Sequence, residues 1–227
     1  SFPKNIVIVG GGYIAVEFAG IMHGLGADVI QLYRGPMFLR GFDEEVRQHL
    51  ALEMVKKGID LRFNEDILSI DRHGSGLHAQ VKSGEKIKTQ IVMYCTGRQP
   101  LSHGMGLEEV GVELSQSGAI VVDDDFKTSV DSIYALGDVI DRVALTPVAL
   151  AEGTALSKLL FDNEPVSMDY VYIPTAVFSN PYIGTVGFTE DEAKKKFQKI
   201  RVYTSRFTPM KHTLSGMDEI SFMKIIV

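Results

Sequence analysis

Hydrophobic positions change their period along this chain, and the changes mark out its elements. Ile6 to Val9 is a continuous apolar run, the pattern of a strand covered on both faces. Gly10, Gly11 and Gly12 follow, and then Ile14, Phe18 and Ile21 recur at helical spacing, predicting a helix that ends at Gly24 and Gly26. Val29 to Tyr33 predicts a second buried strand. Phe42 to Lys57 predicts an amphipathic helix, with Val46, Leu50, Leu52 and Met54 as its apolar set, Asp43 as N-cap and Gly58 as its stop. Ile59 to Phe63 predicts a third parallel strand. Ile67 to Asp71, Leu77 to Lys82 and Glu85 to Thr89 alternate as a β-meander, with turns at Gly74-Ser75-Gly76 and Ser83-Gly84. Ile91 to Cys95 predicts the strand that closes the sheet.

From Gln99 the texture changes. Leu107 to Val112 reads as short helix or irregular chain, Ile120 to Val122 as a strand, and Asp123 to Asp125 as a solvated turn. Ile133 to Leu136 predicts a short strand that ends in Gly137-Asp138. Leu145-Thr146-Pro147 opens a helix running from Val148 to Phe161, with Thr146 as N-cap and Pro147 at the first helical position. Past Pro165 the chain turns β-rich, with strands expected at 176–178, 183–187, 200–206 and 222–227. Between them, Thr189 to Phe197 is a helix with acids first and lysines last, opened by a Thr189/Glu192 capping box. This last part reads as the start of a separate α+β domain.

Composition narrows the class. The chain has 227 residues, ordinary hydrophobic content of 45% and a net charge of -6, which points away from nucleic acid and from anionic membranes. No apolar run is long enough to span a bilayer, and no leader pattern is visible. The single cysteine, Cys95, excludes an internal disulfide framework and suits a cytoplasmic location. It reads as a small buried hydrophobe. Three adjacent aspartates cannot converge on one ion, so no metal site is expected there. Ser1 to Lys4 runs straight into the first strand and the chain stops inside an apolar run, so both ends read as cut.

Strand, glycine turn, helix is the context that makes a glycine motif a dinucleotide site. Gly10 makes the tight turn, Gly12 lets the backbone approach a pyrophosphate at the helix N-terminus, and Ala15 allows close helix–strand packing. Tyr13 and Ile14 stand beside them at the helix start. At the end of the second strand an acid would accept hydrogen bonds from a ribose 2′-hydroxyl. Arg34 and Arg40 stand there instead, and no acid lies between Asp28 and Asp43. Two guanidiniums without a carboxylate suit a 2′-phosphate, so NADPH is expected over NADH. Gly97 and Arg98, in the turn after the closing strand, face the cofactor in this reading. Asp138 suits ribityl or ribose hydroxyls, which are donors, and the helix opened by Leu145, Thr146 and Pro147 has a positive end for ligand charge.

The segments GGGYIAVEFAG, YRGPMFLR, CTGRQP, IYALGDV, LTPVALAEG and IPTAVFSNPYIGTVGFTE together resemble the flavin-dependent pyridine nucleotide–disulfide oxidoreductases. Within them the chain is most similar to members that reduce glutathione disulfide. The resemblance covers essentially the whole chain and implies an α/β fold. It implies a Rossmann-like NADPH domain with a β-meander over 1–98, the second part of an FAD domain over 99–170, and a partial dimerisation domain over 171–227. It implies NADPH and FAD as cofactors, glutathione disulfide as substrate and a homodimer. Tyr13 then looks like the aromatic gate over the flavin, and Glu17 like the acid that pairs with a lysine beside it. Asp138, next to Gly137, would hold the ribityl chain, and the backbone at Thr146, between Leu145 and Pro147, would stabilise a reduced, anionic flavin.

The chain also departs from the family pattern. It contains no first glycine-rich FAD motif, no Cys-x-x-x-x-Cys pair and no His-Glu acid/base pair, and His212 reads as a surface residue. These residues alone are therefore expected to be inactive. Thr154 stands where many members carry an arginine for a glutathione carboxylate. Gly35 and Pro36 replace residues that are often basic, leaving Arg34 and Arg40 a larger share of the 2′-phosphate selectivity. Two alternatives remain open at this point: another NADPH-dependent disulfide reductase, such as one acting on trypanothione, or a non-catalytic NADPH-binding module.

Overall fold

A computed structural model of the chain describes residues 2–74, 76–162, 164–165 and 168–227, so the Ser75 position of the expected turn lies outside the described residues. The chain divides into two units, residues 1–97 with 174–227, and residues 98–173.

The first unit opens with β1 (Asn5–Val9), α1 (Tyr13–Gly24), β2 (Asp28–Tyr33), α2 (Glu44–Lys56) and β3 (Asp60–Phe63). The meander is β4 (Ile67–His73), β5 (Gly76–Val81) and β6 (Lys86–Thr89), and β7 (Ile91–Tyr94) returns to the main sheet. That sheet is parallel in the order β3-β2-β1-β7, with Ile8 beside Gln31 on one flank and beside Met93 on the other. The continuous apolar pattern of β1 has a direct cause. Ile6 and Ile8 pack with α1 and α2, while Val7 and Val9 pack with Ala79, Val81 and Ile87 of the meander, so both faces are covered. The chain order reverses at β1, between β2 and β7, which is where open α/β sheets leave a crevice beyond the strand ends.

Helix α1 turns a different face inward from the one its large residues suggest. It buries Ala15, Val16 and Ala19, while Phe18 and Ile21 stand well exposed. Small side chains let the helix axis lie close to the sheet, and that close approach overrides the hydrophobic period. In α2, Leu50 and Met54 are buried as expected, but Leu52 points outward. Asp43 is the N-cap, its carboxylate accepting from the Glu45 amide at 3.1 Å.

The second unit is built around Val112, Ile120, Phe126, Ala135 and Ile140, with α3 (Thr146–Asp162) packed on them through Ala155 and Leu156. The two strands expected here do not form ladders. The amides of Ile120 and Val121 go to different partners, the Val139 and Glu113 carbonyls, leaving only a bridge between Leu114 and Ile120. Ile133 to Leu136 makes one bridge, Lys127 to Tyr134, before Gly137 at φ +71° turns the chain into a short 3-10 helix, Gly137–Ile140. Asp138 therefore sits in that helix and not past a strand end. At α3 the Leu145 carbonyl accepts from the Val148 and Ala149 amides, both at 3.0 Å, so Leu145 occupies the N-cap position expected of Thr146.

The last part of the first unit holds β8 (Thr175–Val177), β9 (Ile183–Thr185), α4 (Glu190–Lys196), β10 (Val202–Phe207), α5 (His212–Ser215) and β11 (Ser221–Ile226). The strands pair as β8-β9 and β10-β11, both antiparallel, and the Thr189/Glu192 capping box is present. Val177 and Ile183 join the core beneath α1 and α2. The Lys224 side chain is 6% exposed and binds Asp43 at 2.8 Å, Glu45 at 2.9 Å and Glu190 at 2.7 Å. His212 is not a surface residue: it is buried, with Nε2 3.1 Å from Glu219 Oε1. Sequence spacing hides this pair, because the turn at Gly216 brings the two side chains together only after the chain reverses. Glu219 also accepts from Lys57 Nζ at 2.6 Å.

Candidate functional site

The turn between β1 and α1 is shaped by what its carbonyls do. The Gly10 amide continues the sheet by donating to the Leu32 carbonyl at 2.9 Å. Its carbonyl accepts from the buried Gln31 Nε2 at 3.0 Å. The Gly11 carbonyl accepts from the Leu39 amide at 2.6 Å, and the Gly12 carbonyl from the Val16 amide at 3.2 Å. Every turn carbonyl is thus tied into the protein. The amides of residues 11–15 have no acceptor among the described residues. Five unspent donors at the N-terminus of a helix make an anion cradle, with the helix dipole adding to it.

The glycines are required for distinct reasons. Gly10 lies at φ +148°, and a methyl group there would collide with the Cys95 carbonyl. A methyl at Gly11 would strike the Tyr33 ring, and one at Gly35 would come within 2.7 Å of the same ring. Tyr33 is held between those two glycines, which explains why Gly35 carries no basic side chain. A methyl at Gly12 would meet only open space. The room in front of Gly12 and the free amides suit a pyrophosphate.

Arg34 and Arg40 are both exposed and make no ion pair among the described residues. Between them Phe38 and Leu39 are fully buried, and Leu39 holds a left-handed backbone at φ +52°. That conformation costs a non-glycine residue about 1 kcal/mol or more, and burial with the Gly11 hydrogen bond maintains it. Arg40 is therefore joined to the glycine turn through a single ordered residue. Arg47 fixes the same loop by donating to the Met37 and Phe38 carbonyls, both at 2.6 Å.

Tyr13 and Ile14 are half-buried at the start of α1, and Ala15 is fully buried. Glu17 lies one turn on, where its Oε1 accepts from the Phe178 amide at 2.9 Å. Cys95 is half-buried beneath Gly10, and burial pushes its thiol above the usual range. Gly97 is exposed at φ +141°.

In the second unit, Gly137 and Asp138 are set by a buried acid. Glu152 of α3, 1% exposed, accepts from the Gly137 amide at 2.6 Å and from the Tyr170 hydroxyl at 2.7 Å. Arg142 lies over the Phe126 and Tyr170 rings at 5.6 and 5.8 Å and donates to the Asp123 carbonyl at 2.8 Å. Asp138 is exposed, facing Arg98 at 3.4 Å in a weak surface pair that a ligand can exchange. Thr146 and Pro147 are exposed at the start of α3. The site residues predicted from sequence thus fall into two groups. Those from Gly10 to Arg40 share one turn and its neighbouring loop, and Arg98 and Asp138 share another. Among the described residues, no group of three His, Cys, Asp or Glu side chains stands ready for a metal, and no helix is long and apolar enough to cross a membrane.

Sequence reasoning missed Gln31 and Glu152. Each left a signal: Gln31 is the one polar residue inside the apolar run of β2, and Glu152 is an acid on the inward face of α3.

Comparisons with known proteins give the family. A family model described as pyridine nucleotide-disulphide oxidoreductase matches residues 1–153, and that family's dimerisation-domain model matches residues 173–227. Glutathione reductase of Burkholderia cepacia is 45% identical over 99% of this chain and 50% of its own length. The chloroplastic/mitochondrial glutathione reductase of Pisum sativum is 48% identical over the whole chain and 41% of its own. Trypanothione reductase of Trypanosoma congolense is 42% identical over 99% of the chain and 46% of its own. Among solved structures, the HOCl-induced flavoprotein disulfide reductase RclA of Escherichia coli superposes with a TM-score of 0.92 at 27% identity, covering 100% of this chain and 52% of that one. The chain spans about half the length of the curated relatives it matches.

Proposed function

The chain belongs to the pyridine nucleotide-disulphide oxidoreductases, and from that premise we propose that it forms the NADPH site and part of the FAD site of an enzyme that reduces glutathione disulfide. Residues 1–98 are the NADPH domain, 99–170 the second part of the FAD domain, and 171–227 the start of the dimerisation domain. The enzyme is a cytoplasmic homodimer in this reading. One observation carries it: two exposed arginines, with no ion partner among the described residues, flank a loop tied to a turn whose amides have no acceptor among those residues.

The amides of Gly11 to Ala15 bind the pyrophosphate, with Gly10, Gly12 and Ile14 giving the turn its shape. Arg34 and Arg40 bind the 2′-phosphate by charge-assisted hydrogen bonds, and no carboxylate between Asp28 and Asp43 repels it. Tyr13 is the aromatic gate that would cover the flavin until nicotinamide enters. Glu17, held by the Phe178 amide through one oxygen, keeps its second oxygen for a cation or a ligand amide. Gly97 and Arg98 line the edge of the cofactor region. Asp138 accepts from ribityl hydroxyls, and the amide end of α3 at Leu145, Thr146 and Pro147 faces negative charge. FAD, when bound, relays two electrons from NADPH to a disulfide. No dithiol that could take part lies among these residues, since Cys95 is the single cysteine.

Thr154 favours a second reading of the substrate. Its hydroxyl donates back to the Leu150 carbonyl at 2.9 Å, so it offers no cation for a glutathione carboxylate, and a larger relative such as trypanothione disulfide becomes the alternative. Exchanging both arginines tests the main reading. In the full-length protein, Arg34→Glu with Arg40→Leu lowers the NADPH to NADH preference about 100-fold, measured by titration, since two charge-assisted contacts are lost and a repulsive one is added. Unchanged NADPH affinity in that variant refutes the 2′-phosphate assignment.

A further inference from the structure

We propose that Gln31 is a positioning residue that pre-sets the glycine turn for phosphate and acts equally on every dinucleotide that enters, leaving the choice of nicotinamide cofactor to Arg34 and Arg40. The proposal rests on the NADPH reading above.

Three consecutive glycines are the most freely jointed stretch a chain can contain. A turn that must present amides to a phosphate has to hold that shape beforehand, or the cost of ordering it is subtracted from the affinity. Three hydrogen bonds hold the turn carbonyls. Two come from backbone, the Leu39 and Val16 amides. The third, from Gln31 Nε2 to the Gly10 carbonyl at 3.0 Å, is the one side-chain anchor among the described residues. In a trans peptide the carbonyl and the following N–H point opposite ways. Drawing the Gly10 carbonyl inward therefore turns the Gly11 amide outward, toward the open side of the turn.

A second observation separates this role from simple packing. Gln31 is 2% exposed, and its Oε1 is buried without a hydrogen-bond partner among the described residues. Its place in β2, beside Ile8 and between Ile30 and Leu32, is one that a leucine or methionine would fill by exchanging the orphaned Oε1 for an unpaired Gly10 carbonyl, so the core is left with one unpaired acceptor either way. A side chain that penalises the core at one end and grips the glycine turn at the other is kept for the site and not for the fold.

The test uses the full-length protein and its Gln31→Met variant, which keeps the side-chain length and loses the donor. Dissociation constants for NADPH and NADH are measured by titration, alongside thermal midpoint and amide exchange over residues 10–15. Both constants are expected to rise roughly tenfold, the effect of about one hydrogen bond. Their ratio stays within twofold, exchange across the turn quickens without ligand, and the thermal midpoint barely moves. Four results would overturn the proposal: unchanged affinities in the folded variant, a shifted NADPH to NADH ratio, turn exchange equal to that of the parent, or failure to fold, since the proposal makes Gln31 dispensable to the core. An unaltered protein that binds neither dinucleotide would refute the NADPH reading as well, whereas tight NADPH binding with an indifferent Gln31→Met variant would refute the positioning role alone.

Discussion

At Gly10 a buried side-chain amide takes hold of a carbonyl; at Gly137 a buried carboxylate takes hold of an amide. The first turn is left with N–H groups that have no acceptor among the described residues, which suits an anion. The second is left with the exposed Asp138 carboxylate, which suits a hydroxyl donor. Both turns use a positive-φ glycine and an anchor reaching in from a neighbouring element, Gln31 of β2 or Glu152 of α3. The difference shows that a glycine turn has no fixed polarity. The polarity of the group behind it decides which face is turned outward.

The largest test of this contrast is Gly10→Ala against Gly137→Ala. The first drives a methyl group into the Cys95 carbonyl at a strained φ, and it should destabilise the first unit by about 3–5 kcal/mol in chemical denaturation and abolish dinucleotide binding. At Gly137 the new methyl meets the Ala149 Cβ at 3.2 Å, a contact that a shift of a few tenths of an ångström relieves, so the left-handed backbone dominates and a loss of about 1–2 kcal/mol is expected. Equal losses would erase the distinction between a turn closed by backbone and one closed by a side chain.

Glu152→Ala sharpens the second half. It strands the Gly137 amide and the Tyr170 hydroxyl, costing about 1–3 kcal/mol, and the full-length protein should retain less flavin by absorbance. Glu152→Gln keeps an acceptor for Gly137 and should recover most of the loss. If the glutamine variant is as damaged as the alanine one, the charge and not the hydrogen bond holds the turn.

The smallest effect is a response to acid. Burial opposes ionisation of Glu219, but Lys57 and His212 more than offset it and hold its carboxyl at about 2, below its usual 4.5. A carboxyl lowered on folding contributes stability above its unfolded value, and that contribution is lost as the pH falls from 4.5 toward 2. Amide protection factors over residues 212–227, corrected for the intrinsic exchange rate at each pH, should therefore fall on going from pH 5 to pH 3, and a Glu219→Gln variant should show a flatter response. A steeper response in the variant would remove Glu219 as the cause.

Much of this was legible in the sequence, because local patterns and covered faces coincide in the parallel sheet. Ile6 to Val9 reads as a doubly covered strand and is one, and Asp43 and the Thr189/Glu192 pair cap the helices they were expected to cap. The glycine turn and the exposed arginines were equally visible. The inward face of α1 was not, since Ala15 and Ala19 matter by being small while Phe18 and Ile21 catch the eye. Neither were the single-bridge segments around Ile120 and Tyr134, where apolar runs find no ladder partner. His212 and Glu219 were missed because buried polar pairs are made by chain reversal, which no period records. Gln31 and Glu152 lay in view, and reading them needed the carbonyl and the amide that they hold.

Lys224 has one more implication. It pairs in register with Thr204 on β10, and its flanking residues Met223 and Ile225 face outward. A shift of β11 by a single residue against α2 and α4 would swing the ammonium away from Asp43, Glu45 and Glu190 and offer a hydrocarbon side chain to three negative charges. One cation thus acts as an alignment key, fixing where β11 sits along the starts of α2 and α4.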